Sequence, residues 1–126
     1  MKSLFASILV IASASGVAHA QPATSGEIGY AKGSLGYDAL VAGDNERAID
    51  QMLTSAKVSR NDPARLINLG QAYARTGRTF EAQQMFTAAI SSRDEVDLIL
   101  ADGRVMSSKE AARQALAKLQ ARVASR

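Results

Sequence analysis

The sequence predicts an all-α fold of two paired-helix repeats, closed at the C-terminal end by a small β-hairpin and a capping helix. Three observations predict it. Apolar residues between positions 62 and 93 recur at the spacing of two successive helix faces. Part of that pattern returns 34 residues earlier along the chain. Further on, Ser107-Ser108-Lys109-Glu110 has the form of a capping box and opens one more apolar stripe.

The chain of 126 residues begins with a segment of a different kind. Lys2 supplies a positive start, and Leu4 to Ala12 form an apolar run interrupted only by Ser7. Ala18-His19-Ala20 then gives the small-x-small pattern that signal peptidase accepts. The run is shorter than the roughly 20 apolar residues a bilayer span needs, so residues 1–20 read as a cleavable secretory signal and not as a retained anchor. The chain contains no Cys, which excludes lipid attachment at a cleavage-site cysteine. The product is expected in the periplasm or outside the cell, with no integral membrane span.

Removing Lys2 lowers the formal charge from +3 to +2 and removes His19, the chain's one His. The mature chain then lacks His, Cys and Trp. Thiol nucleophiles, imidazole bases and the usual zinc, copper or haem sites are excluded, and stability must come from packing without disulfides. No cofactor is expected. A nearly neutral charge carries no electrostatic commitment to nucleic acid.

Residues 21–33 are rich in Gly, Ser, Thr and Pro and read as a flexible mature N-terminus, so the domain spans 34–126. Asp62-Pro63 is a helix start: Asp accepts from the first free amides and Pro suits the first helical position. Leu66, Leu69, Gly70, Tyr73 and Ala74 fall on one face of the helix that follows. Gly77 suits the left-handed residue that ends it. Thr79 is expected to cap a second helix, whose stripe is Ala82, Phe86, Ala89 and Ile90. Gly70 and Ala82 are small, which lets the two backbones come close. Thirty-four residues earlier stand Leu35, Gly36, Gly43 and Ala48, with Met52 in the place of Phe86. That predicts a first repeat over about 29–62, with helices near 34–42 and 45–58, ahead of a second over 63–96.

The cap occupies 97–126. Val96 to Leu100 is β-prone, Asp102-Gly103 suits a two-residue hairpin turn, and Arg104-Val105-Met106 can return. A hairpin is preferred there to a degenerate helix. From the capping box to about Ala124, Ala111, Ala112, Ala115, Leu116, Leu119 and Val123 form one stripe. This helix is either a plain cap or a degenerate second helix of a third unit.

Leu66, Leu69-Gly70, Tyr73, Gly77, Ala82, Phe86 and Ala89 stand at the spacings of the tetratricopeptide repeat, and the chain resembles that family of 34-residue helix-turn-helix units. The family often has Trp where Leu66 stands and Pro where Asp94 stands. The resemblance implies a protein or peptide partner held in a groove lined by first helices, which maps onto Tyr37, Leu40, Val41, Ile67, Gln71, Ala74 and Arg75. Tyr37 and Ile67 suit packing between helices equally well. The family's carboxylate clamp is not reconstituted by Asn68 and Arg75 alone.

The implied function is an exported binding adaptor. The alternative is an envelope assembly protein that self-associates through its end faces, for which the helix at 108–124 is the seam. A small hydrolase would need an acid/base pair that is not evident, since Ser108-Lys109 is adjacent and not helically spaced. Asp94, Glu95, Asp97 and Asp102 do not match a calcium loop, and the cations Lys109, Arg113, Lys118, Arg122 and Arg126 read as a solvated helix face.

N-terminal sequencing of the exported product should begin at Gln21. A membrane-retained chain still beginning at Met1 would contradict the signal assignment.

Overall fold

The computed structural model describes residues 11–12, 29–100 and 102–126; of Ile11 and Ala12 only the backbone is described. Its elements are β1 (Ile11–Ala12), α1 (Tyr37–Val41), α2 (Asn45–Thr54), α3 (Pro63–Arg75), α4 (Thr79–Ser91), β2 (Asp97–Ile99), β3 (Val105–Ser107) and α5 (Ser108–Ala124). The chain is mostly helical with a small antiparallel sheet. The stretch 1–20, expected to be a signal, lies outside the described residues apart from β1, which runs antiparallel to β2 with Ile11 opposite Ile99.

The helix starts follow their caps. Asp62 Oδ1 accepts the Arg65 amide at 3.1 Å and Pro63 takes the first position of α3. Ser107 Oγ accepts the Glu110 amide at 3.2 Å ahead of α5. Thr79 does not cap α4. It is already the first helical residue, and Arg78 holds the cap position without a side-chain bond.

The two interhelical turns are built from the same bonds 34 residues apart. Gly43 and Gly77 sit at φ 77° and 79°, a conformation that side chains with a Cβ rarely adopt. In one turn the Asp44 amide donates to Ala39 O, and in the other the Arg78 amide donates to Tyr73 O, both at 2.9 Å. Gly43 donates to Leu40 O as Gly77 donates to Ala74 O. Each turn sends its chain into an antiparallel second helix.

The first pair is smaller than its spacing predicts. Gly33 and Gly36 adopt left-handed backbone, so residues up to 36 form turns and α1 begins only at Tyr37. At its far end α2 stops at Thr54, whose hydroxyl turns back onto Asp50 O at 2.7 Å, and extended Ser55 follows. Nor is the whole of 21–33 a loose lead-in. Within its described part Tyr30 packs on the core, and the adjoining Ser34 and Leu35 are buried.

α3 and α4 form the central pair. Gly70 lies against the ring of Phe86 so closely that a Cβ there would run into three ring carbons. Gly36 makes the matching approach to Ala48, where a Cβ would stand 3.0 Å from the carbonyl oxygen. Leu35, Ala48, Met52, Leu66, Leu69, Ala82, Phe86 and Ala89, the positions expected to pack between helices, are all buried. Tyr73 is half-buried and touches both core clusters, one centred on α1–α2 and the other on α3, α4, the hairpin and α5. The α5 stripe Ala111, Ala112, Ala115 and Leu119 covers the open side of the α3–α4 pair.

The hairpin forms as expected, with Leu98 facing Met106 and both turned inward. Its turn is longer than two residues. The Gly103 amide donates to Leu100 O, Gly103 is left-handed at φ 84°, and the Leu100 amide returns to Arg104 O at 2.8 Å. Ser108 then locks hairpin to helix, because its amide donates to Val96 O and its hydroxyl accepts the Val96 amide.

Replacing Gly70 with Ala should lower unfolding stability by about 1–3 kcal/mol through overpacking, despite the roughly 0.5–1 kcal/mol by which Ala is favoured over Gly in a helix. Adding Phe86→Leu should make the double variant less costly than the sum of its parts in urea unfolding. A Gly70→Ala chain as stable as the parent would contradict the close approach.

Candidate functional site

The face expected to form a groove is largely spent on internal packing. Leu40, Ile67 and Ala74 are 2%, 0% and 9% exposed and belong to the core, so they offer nothing to a partner. Leu40 packs in the smaller core with Met52, Leu69 and Ala72, while Ile67 and Ala74 pack in the larger core that includes residues of α4 and α5. Tyr37 and Gln71 are half-buried, and Val41 is the exposed member of the set.

Arg75 is held by the fold. Its Nη1 donates to Leu40 O at 3.0 Å and to Asn45 Oδ1 at 3.5 Å, tying the end of α3 to the turn between α1 and α2. Burial pulls its pKa below the usual arginine value. Asn68 is fully buried, with Nδ2 donating to Leu35 O at 3.0 Å and Oδ1 unpartnered. Arg75 thus braces a turn, and Asn68 is sealed in the core.

Arg65 is a third polar brace, and its type and position in the sequence do not announce it. It is buried at 4% exposure, donating from Nε and Nη2 to Met52 O at 2.9 and 2.6 Å and from Nη1 to Arg60 O at 3.1 Å. Burial, followed by the nearby Arg60, lowers its pKa. A planar fork on a carbonyl suits this work, since guanidinium donors are fixed in geometry.

Besides Val41, Leu53 and Val105, apolar side chains are exposed on α4 and the last turns of α5. Phe80 is 69% exposed and Val123 49%. Phe80, Gln83, Gln84, Thr87, Ala88 and Ser91 line a shallow depression along α4. A second depression between the helices is lined by Thr79, Gln83, Leu119, Gln120, Val123 and Ala124. Gln83 belongs to both, so the two form one continuous strip. Glu81 is the single charged residue of α4, whereas Lys118 and Arg122 are exposed on α5. The strip thus offers an aromatic anchor and neutral amides able to donate or accept. One signal for it was available in the sequence: Phe80 falls off the Ala82–Phe86–Ala89 stripe, and an apolar residue off the buried stripe is a candidate for exposure.

The residues considered for chemistry are engaged structurally. Ser108 is buried on Val96. Asp102 is exposed and turns onto Arg104, whose amide and guanidinium hold its carboxyl below the usual range. No group of three acidic side chains placed to hold a metal occurs among the described residues, and no helix among them is long and apolar enough to cross a membrane.

No protein-family model, curated protein or solved structure matches the chain.

One electrostatic contact reaches from the N-terminal turns to the α3 cap. The Tyr30 hydroxyl donates to Asp62 Oδ2 at 3.0 Å while Asp62 Oδ1 caps α3. Burial first, and the Asp62 charge second, push the phenol above its ordinary pKa of 10.0. A raised folded-state pKa gives stability that is complete below the unfolded value and is lost as pH climbs past it. The stability gap between the parent and Tyr30→Phe should therefore hold at about 1 kcal/mol near neutrality and change only above about pH 10. A gap that moves between pH 6 and 9 would contradict this contact.

Proposed function

We propose that the chain is an exported helical-repeat module that docks a protein or peptide segment on its α4–α5 face. The duplicated turn carries the repeat reading. Left-handed Gly43 and Gly77 and their matching hydrogen bonds recur at 34 residues, the period of the tetratricopeptide units that the sequence resembles. Proteins built this way present surface to other chains, and their end units are atypical.

The exposed Phe80 carries the docking reading. An aromatic side chain that stands mostly in water, on a helix face almost free of charge, has the composition found at interface anchors. Gln83 and Gln84 beside it supply adaptable hydrogen bonding. On this reading the contact lies on second-helix and cap residues, away from the Tyr37–Arg75 face, most of whose side chains already serve the fold.

The leader supports export. Cleavage after Ala20 removes β1, the strand that pairs with β2, from the mature protein.

With the chain immobilised and an envelope extract passed over it, a specific partner should be retained by the parent and by Val41→Ala. Phe80→Ala should weaken that partner by about 2 kcal/mol, roughly thirtyfold in Kd. Retention that falls with Val41→Ala and is indifferent to Phe80→Ala would return the contact to the α1–α3 face.

A further inference from the structure

The sheet runs in the order β1-β2-β3, with both pairings antiparallel, so β2 has a strand on each side. On the β3 side the ladder continues past both ends of β2. The Ser108 amide donates to Val96 O and the Leu100 amide to Arg104 O, both at 2.8 Å, and Leu98 pairs with Met106 between them. Successive residues of a strand direct their N–H and C=O to opposite sides. Val96, Leu98 and Leu100 therefore use theirs on β3. Asp97 and Ile99 direct theirs to the other side, where Ile11 stands opposite Ile99 and Ala12 opposite Leu98.

The two faces of the hairpin differ. Leu98 and Met106 are a buried pair on the inner face. Ile99 is half-buried and its partner Val105 is 64% exposed, so this pair forms an outer apolar row. Cross-strand neighbours on one face stabilise each other, so a strand beside β2 is favoured by an apolar residue in register with Ile99. Ile11 holds that register position.

We infer that the outer edge of β2 is a strand-acceptor site. In the exported chain an extended apolar segment of a partner protein pairs antiparallel with Asp97–Ile99, in the place that Ile11–Ala12 occupy here. The inference rests on the export reading and concerns a surface separate from the α4 strip. An edge strand whose amides and carbonyls lack a neighbour is a template for pairing. Recognition by strand addition draws affinity from those backbone groups and preference from alternate side-chain positions. The chain's own β1 supplies the geometry, antiparallel with an isoleucine in register with Ile99. In the uncleaved chain β1 holds the site, which couples signal removal to binding.

The test is hydrogen exchange on the full chain and on its exported product. The probe is a synthetic peptide with the sequence of residues 8–13, preceded by two lysines for solubility. In the full chain the Ile99 amide should exchange slowly. In a product beginning at Gln21 it should exchange about tenfold faster or more, while the Leu100 amide, bonded to Arg104 O, keeps its rate. Adding the peptide should slow the Ile99 amide again. The same peptide N-methylated at the isoleucine matching Ile11 should bind about tenfold more weakly, having lost one strand hydrogen bond. In the product, Ile99→Pro deletes an outward N–H at a place where an edge strand tolerates proline. It should abolish peptide binding with unchanged circular dichroism, whereas Ile99→Val and Phe80→Ala should bind as the parent does. If Ile99→Pro disturbs the hairpin, the N-methylated peptide decides.

A product beginning at Gln21 whose Ile99 amide stays slow without peptide overturns the inference and leaves export standing. A product still beginning at Met1 overturns both. Equal binding of the N-methylated peptide overturns the strand pairing, and binding lost in Phe80→Ala overturns it by placing the peptide on the α4 strip.

Discussion

The contact between Gly70 and Phe86 is the constraint on which the rest of the fold depends. It sets how near α3 and α4 can lie, and α5 packs on both of them. α2 covers one side of α3, and α5 closes the other side of the pair. The hairpin is held to α5 by Ser108 and to the core by Leu98 and Met106. Interiors packed to crystal-like density transmit such a spacing because they have little slack to absorb a change. The polar braces then fix register: Arg65 reaches back to the end of α2, Arg75 to the end of α1, and Asn68 to Leu35. Each ties a residue of α3 to a backbone carbonyl of the first unit. The smaller pair is therefore anchored through the larger one.

Much of this was legible in the residues, and what was legible was local. Asp62-Pro63 and Ser107 announce their helices because capping needs only the amides a few residues on. Gly77 announces its turn because few residues accept a left-handed backbone. The hairpin between 96 and 106 was legible from β-prone runs on either side of Asp102-Gly103. Its turn was longer than expected because Leu100 and Arg104 pair across it, a bond that the dipeptide alone does not specify.

What was not legible depended on packing between distant segments. Periodicity identifies the apolar side of a helix but not whether another helix lies on it, and so Leu40, Ile67 and Ala74 read as groove residues while the fold buries them. The same limit hid Arg65, whose worth depends on Met52 O arriving at the right distance. The shortening of α1 follows from Gly33 and Gly36, whose left-handed backbone outweighs the apolar pattern that suggested a longer helix. In the other direction, Phe80 is a typical core residue left in water because α4 buries its opposite side.

Native-state hydrogen exchange tests the dependence on the central pair most directly. If the Gly70–Phe86 approach supports the whole stack, the slowest amides are those of α3 and α4. In Gly70→Ala, protection in α2 and α5 should then fall together with protection in α3. Amides of α2 or α5 that keep their full protection while α3 and α4 open would show that these helices stand without the pair, contrary to the account.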